Sequence, residues 1–242
     1  MAAKKTLVAL LAGFGVAGFA GAALASPIDY FTSNGPATGA TVDGFNGQDL
    51  STGEQSVLNV GGGTLTLNDA QVVQGTTGNY AAPWAVGTNH ADTSKYISVY
   101  GGGTATFTLN PKGAGAEYIG LEWGSVDAYN SITFESESAI YNSHDKVIGY
   151  NYTPIETLTG SQILADADGN QGVNGTVYAN FTSSSPIYRV IFSSTSNSFE
   201  FDKLAFDVNP VPLPGGLPLF VSALLGIGAA GWWRSRRMDR AA

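Results

Sequence analysis

The sequence of 242 residues contains no cysteine. No disulfide can staple it, and no thiolate can serve as nucleophile or metal ligand. Histidine is nearly absent too: His90 and His144 are the two side chains whose ordinary titration falls near neutral pH. Charge is sparse, at 12% of residues, and one-sided. Between residues 26 and 209 five basic residues (Lys95, Lys112, Lys146, Arg189, Lys203) face eighteen acidic ones, a net charge of −13. A nucleic-acid binder needs clustered Lys and Arg, so this region is not one. An acidic surface favours solubility, is repelled by anionic lipid and can attract divalent cations. There is no Gly-x-Ser-x-Gly elbow, which removes the commonest serine-hydrolase signature. Long amphipathic helical patterns and internal repeats are missing as well.

What fills the middle of the chain is β-forming sequence broken by turns. In Thr104–Leu109, Ala105, Phe107 and Leu109 share one face and Thr104, Thr106 and Thr108 the other. Ile119, Leu121 and Trp123 oppose Tyr118, Gly120 and Glu122, and Ile132 and Phe134 alternate with Ser131, Thr133 and Glu135. The run Ile187–Ser194 reads as a nearly continuous buried strand. In Ser198–Val208 the apolar positions Phe199 and Phe201 change parity to Leu204 and Phe206, which predicts a β-bulge near Asp202. Gly61–Gly63, Gly101–Gly103, Asn110-Pro111 and Asp168–Asn170 mark turns. About ten short strands without a long helix predict an all-β, single antiparallel β-sandwich of jelly-roll type over residues 26–209. The polar, Gly-rich stretch from Ser26 to about Gly53 is expected to be a loosely held lead-in with one edge strand.

Both ends are apolar. Lys4 and Lys5 precede an uncharged run, Thr6 to Leu24, which closes on Ala23-Leu24-Ala25 before Ser26-Pro27. This three-part pattern is that of a secretory signal peptide over residues 1–25, cleaved after Ala25. Near the other end, Leu217 to Trp233 carries no charge. As a helix it would span about 25 Å, at the short end for a membrane crossing. Trp232 and Trp233 stand at the interface position, and Arg234, Arg236, Arg237 and Arg240 form a basic stop that stays cytoplasmic. Pro210, Pro212, Pro214 and Pro218 force the segment before it into extended structure. Extended backbone is what processing enzymes bind.

These residues carry a resemblance. Val211-Pro212-Leu213-Pro214-Gly215, a short apolar helix and a terminal Arg cluster, over 210–242, resemble the PEP-CTERM class of sorting signals. The variant reading Val-Pro-Leu-Pro-Ala is the most similar, with Gly215 in place of its Ala. The resemblance implies a Gram-negative bacterium, export through the Sec machinery and a transient inner-membrane anchor. It also implies processing by an exosortase-type membrane enzyme and delivery to the cell surface or an exopolysaccharide matrix. Tyr118–Phe134 is similar to a Tyr-x-Gly-x-x-Trp-Gly-Ser-x-Asp-x-Tyr-Asn segment of exosortase-dependent surface proteins. Phe199–Phe206 resembles their closing Phe-Glu-(Phe/Ile)-Asp-Asn-x-Ala strand, with Lys203 in place of the Asn. The family carries no established enzyme activity, which implies a non-enzymatic surface or biofilm-matrix protein.

Three kinds of site remain open on the residues themselves. His144-Asp145 and the His90/Asp92 pair at i, i+2 read as loops rather than catalytic or metal pairs. Glu122 and Asp127 could in principle form a carboxylate pair for glycoside hydrolysis. For calcium, Asp166, Asp168 and Asn170 place oxygen ligands at alternate positions before a turn, without the twelfth-position Glu, and Asp202 in the bulged strand is a further candidate. For saccharide, Trp84, Trp123, Tyr129, Tyr80 and Tyr100 could stack on sugar rings. Trp123, Ser125, Asp127, Tyr129 and Asn130 form the best stretch, the alternative being a core Trp followed by a capped turn. The expectation is thus a sorted surface protein, with exopolysaccharide binding as the competing function and a hydrolase third.

Overall fold

Alternation becomes pairing in the computed structural model, which describes residues 27–50, 56–110 and 115–207. The signal-peptide, proline-motif, apolar-helix and Arg-cluster assignments lie outside the described residues. Among those described, no helix is long and apolar enough to cross a membrane. The strands are β1 (Ile28–Ser33), β2 (Thr41–Asp43), β3 (Ser56–Val60), β4 (Gly63–Gln74), β5 (Lys95–Leu109), β6 (Ala116–Gly124), β7 (Asn130–Tyr141), β8 (Val147–Thr159), β9 (Val177–Ile187), β10 (Arg189–Ser194) and β11 (Phe199–Asp207). One helical turn, α1 (Gly160–Ile163), follows β8.

Every pairing is antiparallel, and the sheet runs β1-β9-β6-β11-β5-β10-β7-β8. Long β5 is shared between two halves. Its residues 97–99 pair with β11 and residues 104–108 with β10, while β4 follows it along both parts across an irregularity between Asn68 and Ala70. β2 continues the sheet edge beside the second half of β11. The sheet folds over on itself, because Phe134 of β7 meets Phe181 of β9 at 5.0 Å although several strands separate them in the pairing order. Phe192 of β10 likewise meets Phe199 and Phe201 of β11 at 5.9 and 4.3 Å. The ends of the sheet meet as well, where Ile28 N–H of β1 donates to Glu156 Oε2 of β8 at 3.0 Å.

The inward faces are those the alternation specifies. Ala105, Phe107 and Leu109, then Ile119, Leu121 and Trp123, then Ile132 and Phe134 are all buried in one core. Each fully buried Phe contributes roughly 1.5–3 kcal/mol relative to exposure. The bulge lies where the parity change puts it: the β11–β6 register shifts between Asp202 and Ala205, and Lys203 takes φ +50°. Two expectations need correction. Ile187–Ser194 is not one continuous buried strand. β9 ends at Ile187, and in β10 Val190 and Phe192 point inward while Arg189, Ile191 and Ser193 are half-exposed. Residues 27–50 are tied down rather than loose. They supply two strands, Ile28 is fully buried, and Phe45 packs edge-on against Phe201 at 5.8 Å.

The outer face of β6 and β11 is covered too. The connection between β4 and β5, residues 75–94, lies flat over it. Gly124 makes this possible: a Cβ there would stand 2.8 Å from Pro83 Cα. Tyr118, also outward, accepts Ala37 N–H at 3.0 Å and donates to Asn180 Oδ1 at 2.8 Å. Alternation along β6 therefore separates two buried faces, one apolar and one polar.

Candidate functional site

Four connections meet at one end of the sandwich. They are the β4–β5 connection, the β6–β7 turn, the β8–β9 connection and the β10–β11 turn. Together they enclose a cleft of about 200 Å3. The β6–β7 turn presents Ser125, Asp127 and Tyr129, while Asn79 and Tyr80 come from the β4–β5 connection. Asp168, Gly169 and Gln171 come from the β8–β9 connection, and Asn197 and Glu200 from around the β10–β11 turn. Among the described residues, three lining side chains are carboxylates and no Lys, Arg or His lines the cleft.

Local geometry sets these groups. An isolated bridge between Asp127 and Asp168 joins two of the loops. Gly169 holds φ +74°, and a Cβ on it would meet Asp127 Oδ1 at 2.6 Å, so the bridge requires glycine there. Ser125 sits at φ +47°, a left-handed conformation that costs an L-residue about 1–2 kcal/mol. Tyr129 hydroxyl donates to Asn197 carbonyl at 2.8 Å and also lies against the Asp127 carboxylate.

Among the described residues, Glu200 Oε2 and Ser125 Oγ have no partner at this end, and neither do Ser98 Oγ, opposite Glu200 in the sheet, and Trp123 Nε1. Glu200 is 2% exposed. Its Oε1 accepts Ala81 N–H at 3.0 Å and the Ser198 hydroxyl, whereas Oε2 is buried and unpaired. Ser125 Oγ is also buried and unpaired. A buried polar atom left without a hydrogen bond costs about 1–3 kcal/mol. Burial pushes the Glu200 carboxyl up to about 7, with nearby Asp127 adding to the rise against the hydrogen bonds from Ser198 and Ala81. Burial also raises Asp127, with Asp168 pushing the same way. Burial raises Tyr129, and the adjoining Asp127 reinforces it.

The structure sorts the saccharide candidates. Trp123 is fully buried and stacked on Phe199 at 4.5 Å, so it is core and offers no face to a ligand. Asn130 is fully buried as well, donating to Ser198 carbonyl at 3.3 Å and accepting from Ser194 Oγ at 2.8 Å. Ser125, Asp127 and Tyr129 do share the cleft, and Tyr80 joins them from distant sequence. Tyr100 hydroxyl is spent on Gln71 at 3.2 Å. Trp84 lines a separate groove of about 320 Å3 with Thr32, Val86, Val173 and Thr176. Glu200, Asn79 and Gln171 escaped the sequence reading.

The calcium candidates separate into two places. In the β8–β9 connection Asp168 Oδ1 accepts Asn170 N–H at 3.1 Å and Asn170 Oδ1 accepts Gly172 N–H at 2.8 Å. Both oxygens serve the turn itself, and Asp166, Asp168 and Asn170 together line a depression beside the cleft. Asp202 lies instead with Asp92 and Glu122, whose oxygens gather within 4.8 Å. That cluster holds its own cation: Lys203 Nζ pairs with Asp92 Oδ2 at 2.9 Å and with Glu122 Oε2. Val86 N–H donates to Glu122 at 2.6 Å, and Ser94 Oγ donates to Asp202 at 2.7 Å. In the structure the Lys203 ammonium supplies the positive charge among these carboxylates.

The catalytic candidates are dispersed. His90 and His144 are exposed. Asp92 turns into the Lys203 cluster, and His90 Nδ1 lies 3.0 Å from Ala91 carbonyl. Glu122 is held under the β4–β5 connection, while Asp127 faces the four-loop cleft, so they form no pair across one ligand site.

No protein-family model matches the sequence, and no curated protein matches it. Among solved structures, the K2 cleaved adhesin domain of Lys-gingipain is similar over 71% of this chain and 99% of its own, at 12% identity and TM-score 0.36. The C-terminal family 22 carbohydrate binding module of Clostridium thermocellum Xyn10B is similar over 71% and 94%, at 14% identity and TM-score 0.31. A Bacillus subtilis family 43 arabinoxylan arabinofuranohydrolase follows over 64% and 40%, at 12% identity and TM-score 0.26. These likenesses assign no role to any residue of the cleft.

Proposed function

We propose that this chain is a non-enzymatic, exported surface or matrix protein whose jelly-roll-like sandwich holds polysaccharide in the four-loop cleft. The observation that carries the binding reading is the pair of unpartnered buried atoms, Glu200 Oε2 and Ser125 Oγ, at a cleft walled by Tyr80 and Tyr129. Sugar hydroxyls donate to such acceptors, and the apolar faces of a pyranose suit a tyrosine ring. Binding is tested by calorimetric titration of the full-length chain with the host's exopolysaccharide and a panel of oligosaccharides. Tyr80→Ala and Tyr129→Ala are each expected to weaken affinity about tenfold, a loss near 1.4 kcal/mol. Absence of binding to every glycan overturns the reading.

The sorting half of the proposal rests on the sequence at Val211–Gly215 and the Arg234, Arg236, Arg237 stop. Delivery runs through Sec export, a transient inner-membrane anchor and cleavage by an exosortase-type enzyme. Its test is the intact mass and location of the protein in its native host. A wild-type body ending near Val211 outside the cell, with an uncut tail in Pro212→Ala/Pro214→Ala, supports it. A tail still attached in the wild type overturns it. Hydrolase activity is the competing reading, because a carboxyl near pKa 7 in a cleft is a general-acid candidate. Turnover of any bound oligosaccharide that Glu200→Gln abolishes would replace binding by catalysis.

A further inference from the structure

We propose that the four-loop cleft selects a saccharide carrying a free primary amine, a glucosamine unit rather than its N-acetylated or acidic counterparts. This rests on the glycan-binding reading above and narrows it. Every ionisable lining group apart from tyrosine is a carboxylate: Asp127, Asp168 and Glu200. Two of the three feel a second carboxylate nearby, Asp127 from Asp168 and Glu200 from Asp127. A uronic acid or sulfated sugar would add like charge to this set. A neutral sugar would satisfy the acceptors and leave the repulsion in place. An ammonium group brings three donors and a positive charge at once, pairing with the free Glu200 Oε2 and offsetting the repulsion. Charge-assisted hydrogen bonds of this kind are roughly twice as strong as neutral ones.

The same ammonium could arrive on a lysine side chain of a protein. The lining argues for the sugar. A lysine stem needs apolar wall along its methylenes, whereas this cleft presents Asn79, Gln171, Asn197 and Ser125, suited to ring hydroxyls. Tyr80 and Tyr129 supply the aromatic surface a pyranose ring can rest on.

The experiment titrates the full-length chain, in detergent micelles at near-physiological salt, with a glucosamine tetramer, an N-acetylglucosamine tetramer and Nα-acetyl-lysine amide. The glucosamine tetramer is expected to bind at least about tenfold more tightly than the acetylated one. Glu200→Gln and, separately, Asp168→Asn should erase that ratio. Asp145→Asn, in the exposed β7–β8 turn, should keep it, which controls for general attraction of a polycation to an acidic protein. Equal affinity for the two tetramers overturns amine selection while leaving glycan binding intact. No binding of either tetramer, or of any glycan, removes both readings. A lysine amide that binds as tightly as the glucosamine tetramer overturns the saccharide assignment. A ratio that survives in both cleft variants also overturns the proposal, because the amine is then read elsewhere.

Discussion

Glu200 answers to the backbone with one oxygen and to nothing with the other, and its pKa converts that asymmetry into a pH dependence. The folded value of about 7 lies above the ordinary 4.5, and that of Asp202, about 7, above 3.8, both through burial. The folded state therefore holds more protons than the unfolded one between the two values, so stability falls as pH rises through that window. Asp92, whose carboxyl is lowered, acts in the opposite sense and only below its ordinary value. Denaturant unfolding should give a higher midpoint at pH 5 than at pH 8. Glu200 contributes up to about 3 kcal/mol of the difference, and Glu200→Gln should flatten the slope. A wild-type midpoint that climbs from pH 5 to pH 8 would refute the assignment. Trp123 makes a second prediction at this scale. Trp123→Ala empties a core position stacked on Phe199 and should cost about 3–5 kcal/mol, read by the same unfolding. Added saccharide should leave its contribution to the fluorescence unchanged.

The β4–β5 connection behaves as an element although residues 75–94 contain no named strand. Carboxylates from the sheet below hold it at intervals: Glu200 takes Ala81 N–H, Glu122 takes Val86 N–H, and Asp202 takes the Ser94 hydroxyl. Lys203 locks the far end through Asp92. Lys203→Met would leave fully buried Glu122 without its counter-charge. Breaking a buried pair costs about 3–5 kcal/mol; with the Lys203 side chain 39% exposed, about 2 kcal/mol is expected, measured by urea midpoint. Gly124→Ala should lift the connection off β6 at a cost of roughly 1–3 kcal/mol and, by moving Asn79 and Tyr80, weaken ligand binding. Unchanged stability and affinity in that variant would show that the connection is not seated by this contact. The inner faces of β5, β6 and β7 and the bulge at Asp202 were legible from period and parity alone. The cover on the outer face was not. Alternation assigns Glu122, Glu200 and Asp202 to water, and nothing in a period of two tells water from a loop 36 to 119 residues away. The available sign was the outer row of β6, where Tyr118, Gly120, Glu122 and Gly124 pair one acid with two residues that have no side chain. For the same reason Ser125, Asp127 and Tyr129 were found as neighbours in sequence, while Glu200, Asn79 and Gln171 complete the cleft through tertiary contact.

At the scale of the whole molecule, the cleft and the far tip of the β7–β8 hairpin divide the surface. The tip exposes Tyr141 and Ile148, at 60% and 63%, and supplies no lining residue to the four-loop cleft. Tyr141→Ser/Ile148→Ser should therefore leave saccharide affinity within about twofold by calorimetry, and a larger loss would place the hairpin in the binding surface. The described chain leaves the sandwich along β11, which lies in the sheet between β5 and β6 with β2 beside its second half. Force applied at Asp207 along the direction of β11 is thus delivered to a strand paired on both sides. The ladders on both flanks are loaded in shear, and their hydrogen bonds must fail together rather than peel one by one. Phe199, Phe201, Leu204 and Phe206 would have to be dragged from the core in the same event. A tether attached at this end loads β11 and its flanking ladders together, and the loops of the cleft lie at the opposite end of that strand.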